Sequence, residues 1–86
     1  MNEELIEKVK QILTEWNPLG DYASEVEDLN NYETEAIDIL FYLNKKSSVE
    51  RINKVMVEIV SDAFGLLDDF EDTLQYAEKI KKSLNE

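Results

Sequence analysis

The stretch Ser47-Ser48-Val49-Glu50-Arg51-Ile52-Asn53-Lys54-Val55-Met56-Val57-Glu58-Ile59-Val60-Ser61-Asp62-Ala63-Phe64-Gly65 reads from end to end as one amphipathic helix. Val49, Ile52, Met56, Ile59, Val60 and Ala63 recur at the three- and four-residue spacing of one helical face, and Val55 and Phe64 widen the stripe. Ser47, with Glu50 three residues on, has the pattern of a capping box, in which a hydroxyl and a carboxylate satisfy free amides of the first turn. Gly65 suits the position just past the last turn, where the backbone turns left-handed and a Cβ is penalised. Such a stripe needs partners to cover it.

The flanking sequence supplies them. Residues 68–84 carry a second stripe of Phe70, Leu74, Ala77, Ile80 and Leu84. Asp68, Asp69, Glu71 and Asp72 stand at its start and Lys79, Lys81 and Lys82 near its end, matching the helix dipole at both termini. They lack the ligand spacing and central glycine of a calcium loop, so capping explains these acids better. Before the opening stretch, residues 32–43 include Ala36 and Ile37 and close on the unbroken run Ile39-Leu40-Phe41-Tyr42-Leu43. This segment is apolar almost all round, which fits a central helix or a buried strand, and its helical neighbours favour helix. Asn44-Lys45-Lys46 places cations at its negative end. Residues 2–16 form a fourth stripe of Leu5, Ile6, Val9, Ile12, Leu13 and Trp16, with Asn2 placed to cap it. Pro18 stops that helix, and Asn17-Pro18-Leu19-Gly20 reads as a tight turn. Residues 21–31 have no clean period and read as an ordered loop. The expected fold is therefore all-α: a compact, four-helix bundle-like single domain over residues 1–86, with a long acidic loop between its first two helices.

Composition narrows the function. The chain has 86 residues, 9 Lys and Arg, 20 Asp and Glu, and a net charge of −11. It contains no Cys and no His, so thiolate chemistry, imidazole bases and nearly all zinc sites are excluded. Arg51 is the sole arginine. So few cations make nucleic acid a poor partner, because phosphate contacts need clustered Lys and Arg. The longest apolar run is far shorter than a membrane span, and Met1-Asn2-Glu3-Glu4 lacks the basic start of a signal peptide. The expected location is the cytoplasm, with no membrane contact and no cofactor.

Charge is strongly segregated. Between Lys10 and Lys45 stand Glu15, Asp21, Glu25, Glu27, Asp28, Glu33, Glu35 and Asp38 with no base among them. Between Lys54 and Lys79 stand Glu58, Asp62, Asp68, Asp69, Glu71, Asp72 and Glu78, again with none. A negative field of this kind speeds encounter with a basic partner and selects against acidic ones. A specific interface also needs aromatic and aliphatic anchors inside its polar rim. The long loop and the start of the second helix offer both, so the expected partner-binding residues are Leu19, Asp21, Tyr22, Glu25, Glu27, Asp28, Tyr32, Glu33 and Glu35. Trp16 is expected to end the first stripe and pack beneath the loop. Tyr22, Tyr32, Tyr42 and Tyr76 have no general-base partner in sequence and read as core-edge or interface residues.

One acidic pattern has a catalytic reading. Glu3-Glu4-Leu5-Ile6-Glu7 and Glu35-Ala36-Ile37-Asp38 resemble the metal-binding spacing of the all-α, MazG-like nucleotide pyrophosphohydrolases. Carboxylates three residues apart share a helix face and can hold Mg²⁺ against phosphates. The alternative function is thus Mg²⁺-dependent nucleotide hydrolysis by Glu4, Glu7, Glu35 and Asp38. With acids this abundant, such spacings also arise by chance. A third alternative is a self-associating structural protein, monomeric or weakly dimeric, joined through apolar or Lys-bearing faces.

At Trp16-Asn17-Pro18-Leu19-Gly20, followed by an acidic loop containing Tyr22 and a helix led by Tyr32-Glu33, the chain resembles the domain-of-unknown-function 1871 family of short Bacillus-type bacterial proteins. The resemblance implies a compact all-helical fold. It brings no established activity and no catalytic residues. In size, acidity and helicity the chain is also similar in type to immunity proteins that cover basic nuclease toxins, although it shares no motif with the colicin-type members. The reading that these observations favour is a non-enzymatic, acidic protein-binding module, most concretely an immunity-type inhibitor that covers a basic partner.

Overall fold

Four apolar stripes on short helices have one economical arrangement, which is to face a common centre. The computed structural model describes residues 3–20, 32–65 and 73–86, and every regular element among them is helical. These elements are α1 (Glu3–Trp16), α2 (Glu33–Phe41), α3 (Val49–Phe64) and α4 (Leu74–Leu84). The all-α, four-helix fold read from the stripes is the fold observed. Asn2, the loop over residues 21–31, and the segment of Phe70 with its flanking acids lie outside the described residues.

The interior is a single cluster. α1 contributes Val9, Ile12 and Leu13, α2 contributes Ala36, Ile39 and Leu40, α3 contributes Ile52, Val55, Met56 and Val60, and α4 contributes Ala77, Ile80 and Leu84. Leu5, Ile6 and Trp16 are partly buried against it, so the whole first stripe is used. Two positions depart from the expected stripes. Ala63 is exposed near the end of α3. Leu74 is 51% exposed, and Thr73 is buried instead. The register explains the second departure: at 3.6 residues per turn Thr73, Ala77, Ile80 and Leu84 fall within an arc of about 60°, and Leu74 points about 90° from its centre. The Thr73 hydroxyl then donates to Asn53 Oδ1 at 2.6 Å, which ties the start of α4 to α3.

Helix ends follow local chemistry. Asn17 turns left-handed after α1 (φ 53°), its amide donates to the Leu13 carbonyl, and Gly20 N–H closes the turn on the Asn17 carbonyl at 3.0 Å. α3 is capped by Ser48, whose hydroxyl accepts from Arg51 N–H at 3.1 Å. The cap therefore lies one residue beyond the expected Ser47, at Ser48, and the expected Ser47–Glu50 box is not the cap observed. Ser47 is engaged elsewhere: its hydroxyl accepts from Asn44 N–H and its carbonyl accepts from Lys81 Nζ. Gly65 ends α3 in the left-handed conformation (φ 65°), as its sequence position requires, and its amide bonds to the Ser61 carbonyl. α2 stops at Phe41, so Lys45 and Lys46 lie in the following turn and not in its last turn. There Asn44 Oδ1 accepts from Lys46 N–H, an Asx-type turn that competes with helix.

The helices close into a ring. α1 packs on α2 and α4, and α3 packs on the same two, while the diagonal pairs make no close backbone approach. Lys8 pairs with Glu86 and Lys79 with Glu15, so α1 and α4 run antiparallel. Bonds from Asn53 to Thr73 and from Ser47 to Lys81 set the same sense for α3 and α4. Tyr32, at the start of α2, meets Phe64, at the end of α3. In such a ring no helix is central. The expectation of a central second helix is corrected on this ground: α2 has one buried face, and Ile37, Phe41 and Tyr42 are exposed on the rest.

Two stability outcomes follow. Met56 is fully buried, so Met56→Ala should cost about 2–5 kcal/mol, whereas Leu74→Ala should stay within about 0.5 kcal/mol. Urea unfolding midpoints at unchanged slope check the pair. Ser48→Ala should cost about 1 kcal/mol through the lost cap, and more than Ser47→Ala. The reverse order would place the cap on Ser47.

Candidate functional site

Of the nine residues expected to contact a partner, four are described. Leu19 and Tyr32 belong to the core, Glu35 is only 8% exposed, and Glu33 is half-buried. Asp21, Tyr22, Glu25, Glu27 and Asp28 lie outside the described residues. These placements have physical causes. The left-handed turn at Asn17 folds the chain back and drives Leu19 inward. Tyr32 takes a left-handed conformation (φ 67°) at the head of α2, and its ring meets Phe64 edge-to-face at 6.0 Å. Its hydroxyl is buried without a hydrogen-bond partner among the described residues. That burial pushes the phenol above its usual range, and the Glu35 carboxylate pushes the same way. The Leu19 backbone works against both. Glu35 shares the inward face of α2 with Ile39, four residues on. Its carboxyl is pushed up by loss of water and further by Asp38, against the opposing effect of its own backbone amide.

The structure assembles a different surface. Phe41 is 74% and Tyr42 58% exposed, and their rings meet edge-to-face at 5.2 Å. They wall an open depression of about 510 Å³ between α2 and α3, lined also by Asp38, Ile59, Asp62 and Ala63. A second depression of about 320 Å³ shares Tyr42, Ile59 and Asp62 and extends to Arg51, Val55 and Glu58. Together they form one groove with an apolar floor and a rim that carries three carboxylates, Asp38, Glu58 and Asp62, and one cation, Arg51. The signal for it was in the sequence. Five consecutive apolar residues, 39–43, step right round a helix, so some must face water unless that helix is central.

On the other side of the ring, along the α1–α4 seam, Lys8 pairs with Glu86 and Lys79 with Glu15 at 2.7 Å, while Lys10 pairs with Glu7 at 3.1 Å within α1. The Glu15 bond raises the Lys79 pKa, and Lys8 lowers that of the Glu86 carboxyl. Trp16 stacks on Tyr76 at 6.2 Å, with Lys79 Nζ 5.6 Å from the Tyr76 ring centre. Trp16 is thus a packed, half-buried residue at this seam. On the α2–α3 side Asp38, Glu58 and Asp62 have no ion-pair partner among the described residues.

The carboxylates of the hydrolase alternative are not gathered. Glu4 and Glu7 are exposed on α1 and Asp38 on α2, whereas Glu35 faces the core. Among the described residues no group of three or more acidic side chains is placed to hold a metal ion. No helix there is long and apolar enough to cross a membrane. Compared with protein-family models, curated proteins and solved structures, the chain matches none.

The Glu35 carboxyl gives a pH test. A folded-state value above the ordinary 4.5 means that the native protein holds this proton longer than the unfolded chain. This group's contribution to stability therefore falls as pH rises from about 4.5 through the raised value. Glu35→Gln should melt higher than the parent at pH 7, with the gap closing towards pH 4. Thermal melts across that range check it, and a constant gap would show that ionisation of Glu35 does not matter.

Proposed function

We propose that the protein is a non-catalytic, acidic binding module that covers a basic protein partner, as an immunity-type inhibitor does, in the cytoplasm. The observation that carries this reading is the division of the surface. Exposed Phe41 and Tyr42 sit among Asp38, Glu58 and Asp62, which have no ion-pair partner among the described residues, on one side, and Lys8 and Lys79 are engaged in ion pairs across the α1–α4 seam on the other. Unpaired carboxylates steer a basic molecule into encounter. Desolvated aromatic anchors then supply most of the affinity. Glu33 and the acids that precede α2 in the chain, Asp21, Glu25, Glu27 and Asp28, add to the same sign of charge. Leu19, Tyr32 and Glu35 serve the core and are not contact residues in this reading. The likeness to the uncharacterised family at Trp16 to Gly20 adds no activity to it.

The experiment is a tagged pull-down from host lysate at low and high salt, read by mass spectrometry. A stoichiometric basic protein should be retained at low salt and weakened at high salt. Reversing Glu25, Glu27 and Asp28 to Lys should weaken retention and flatten its salt dependence. Unchanged retention and salt dependence in that variant, or an empty pull-down, would overturn the reading.

A further inference from the structure

Resting on the basic-partner reading, we infer that the α2–α3 groove seats about two turns of an amphipathic helix of that partner, its apolar edge flanked by Lys or Arg. Val55, Ile59 and Ala63 are spaced four residues apart along α3, so the floor runs about 12 Å in a straight line. That length matches two turns of a second helix. Phe41 and Tyr42 form one wall, where an inserted aliphatic side chain would cover two exposed rings. Asp38 stands on the α2 side and Glu58 and Asp62 on the α3 side, and Arg51 lines only the end of the groove nearest the start of α3, so the three carboxylates outnumber it. An occupant is therefore apolar along its middle and cationic along both edges.

Three other occupants fit less well. An extended segment gains its affinity by adding to a sheet edge, and the described residues contain helices only. A helix satisfies its own backbone and needs only a groove. A nucleic acid would bring phosphates against the three carboxylates. A second copy docked groove to groove would oppose two sets of the same carboxylates, at −11 net charge per chain.

The test uses two fluorescent peptides of about 14 residues and identical Leu and Lys content. One has Leu at helical spacing, and the other has the same residues in an order with no apolar face. Anisotropy titrations compare the parent protein, Phe41→Ser, and the triple variant Asp38→Asn, Glu58→Gln, Asp62→Asn. The parent should bind the amphipathic peptide about tenfold or more tightly than the scrambled one. Phe41→Ser should abolish that preference, and the triple variant should weaken both peptides and flatten their salt dependence. Circular dichroism confirms that each variant folds. On the parent protein, amide shifts of ¹⁵N-labelled chain should concentrate in residues 38–42 and 55–63. Equal binding of the two peptides, or shifts elsewhere, would overturn the groove. Salt-sensitive binding of both peptides in that case would leave the basic-partner reading standing, and absence of any salt-sensitive binding would overturn both.

Discussion

Everything in this molecule depends on burying four stripes in one centre. Helices of 9 to 16 residues are marginal in water by themselves, because nucleation is costly and few hydrogen bonds repay it. What holds each of them is the apolar face shared with two neighbours. Leu13, Ile39, Ile52, Met56 and Ile80 are fully buried, and between them they come from all four helices. Loss of any one helix would expose the stripes of two others. A chain of this size has little surplus stability to absorb that.

The ring also constrains what remains outside. With no central position available, a helix that is apolar all round must show part of that surface. α2 is that helix, and it shows Ile37, Phe41 and Tyr42. Its shortness adds to the effect. The helix stops at Phe41, so Tyr42 caps it from the outside and its ring stands against Phe41 and not against the core. Leu43, the next residue, returns to the interior. The groove is thus a consequence of a five-residue apolar run placed at the end of a nine-residue helix.

Much of this was legible in the chain, and the misses share a cause. Periodicity located all four helices, and single-residue backbone rules located Gly65 and the turn at Asn17 to Gly20. Tertiary choices between near-equal local options were not legible. Ser47 and Ser48 both suit a cap, and Ser47 is drawn off by Asn44 and Lys81. Leu74 and Thr73 are adjacent, and the half-buried Asn53 partner helps the smaller, polar residue take the inward place. For the candidate surface, proximity in sequence does not tell which residues face inward. Leu19, Tyr32 and Glu35 stand beside exposed acids in the chain, yet a left-handed turn and an inward helix face bury them. The apolar run 39–43 fits a central helix in sequence, and only the closed ring shows that no central place exists and that Phe41 and Tyr42 face outward.

The two sides of the ring put electrostatics to different uses. At the α1–α4 seam acids and bases alternate across the interface, and the exposed pairs there contribute only modestly to stability. At the α2–α3 seam Asp38, Glu58 and Asp62 make no ion pair among the described residues and outnumber the one cation lining the groove, Arg51, and like charges so arranged oppose compaction. Burial of Glu35 beside Asp38 adds a further penalty on the same helix, visible in its raised pKa. The exposed rings lie within this same unbalanced patch. Aromatic exposure and poorly compensated charge both weaken the isolated chain, and both would be relieved by the one partner proposed, a cationic, apolar one laid across α2 and α3.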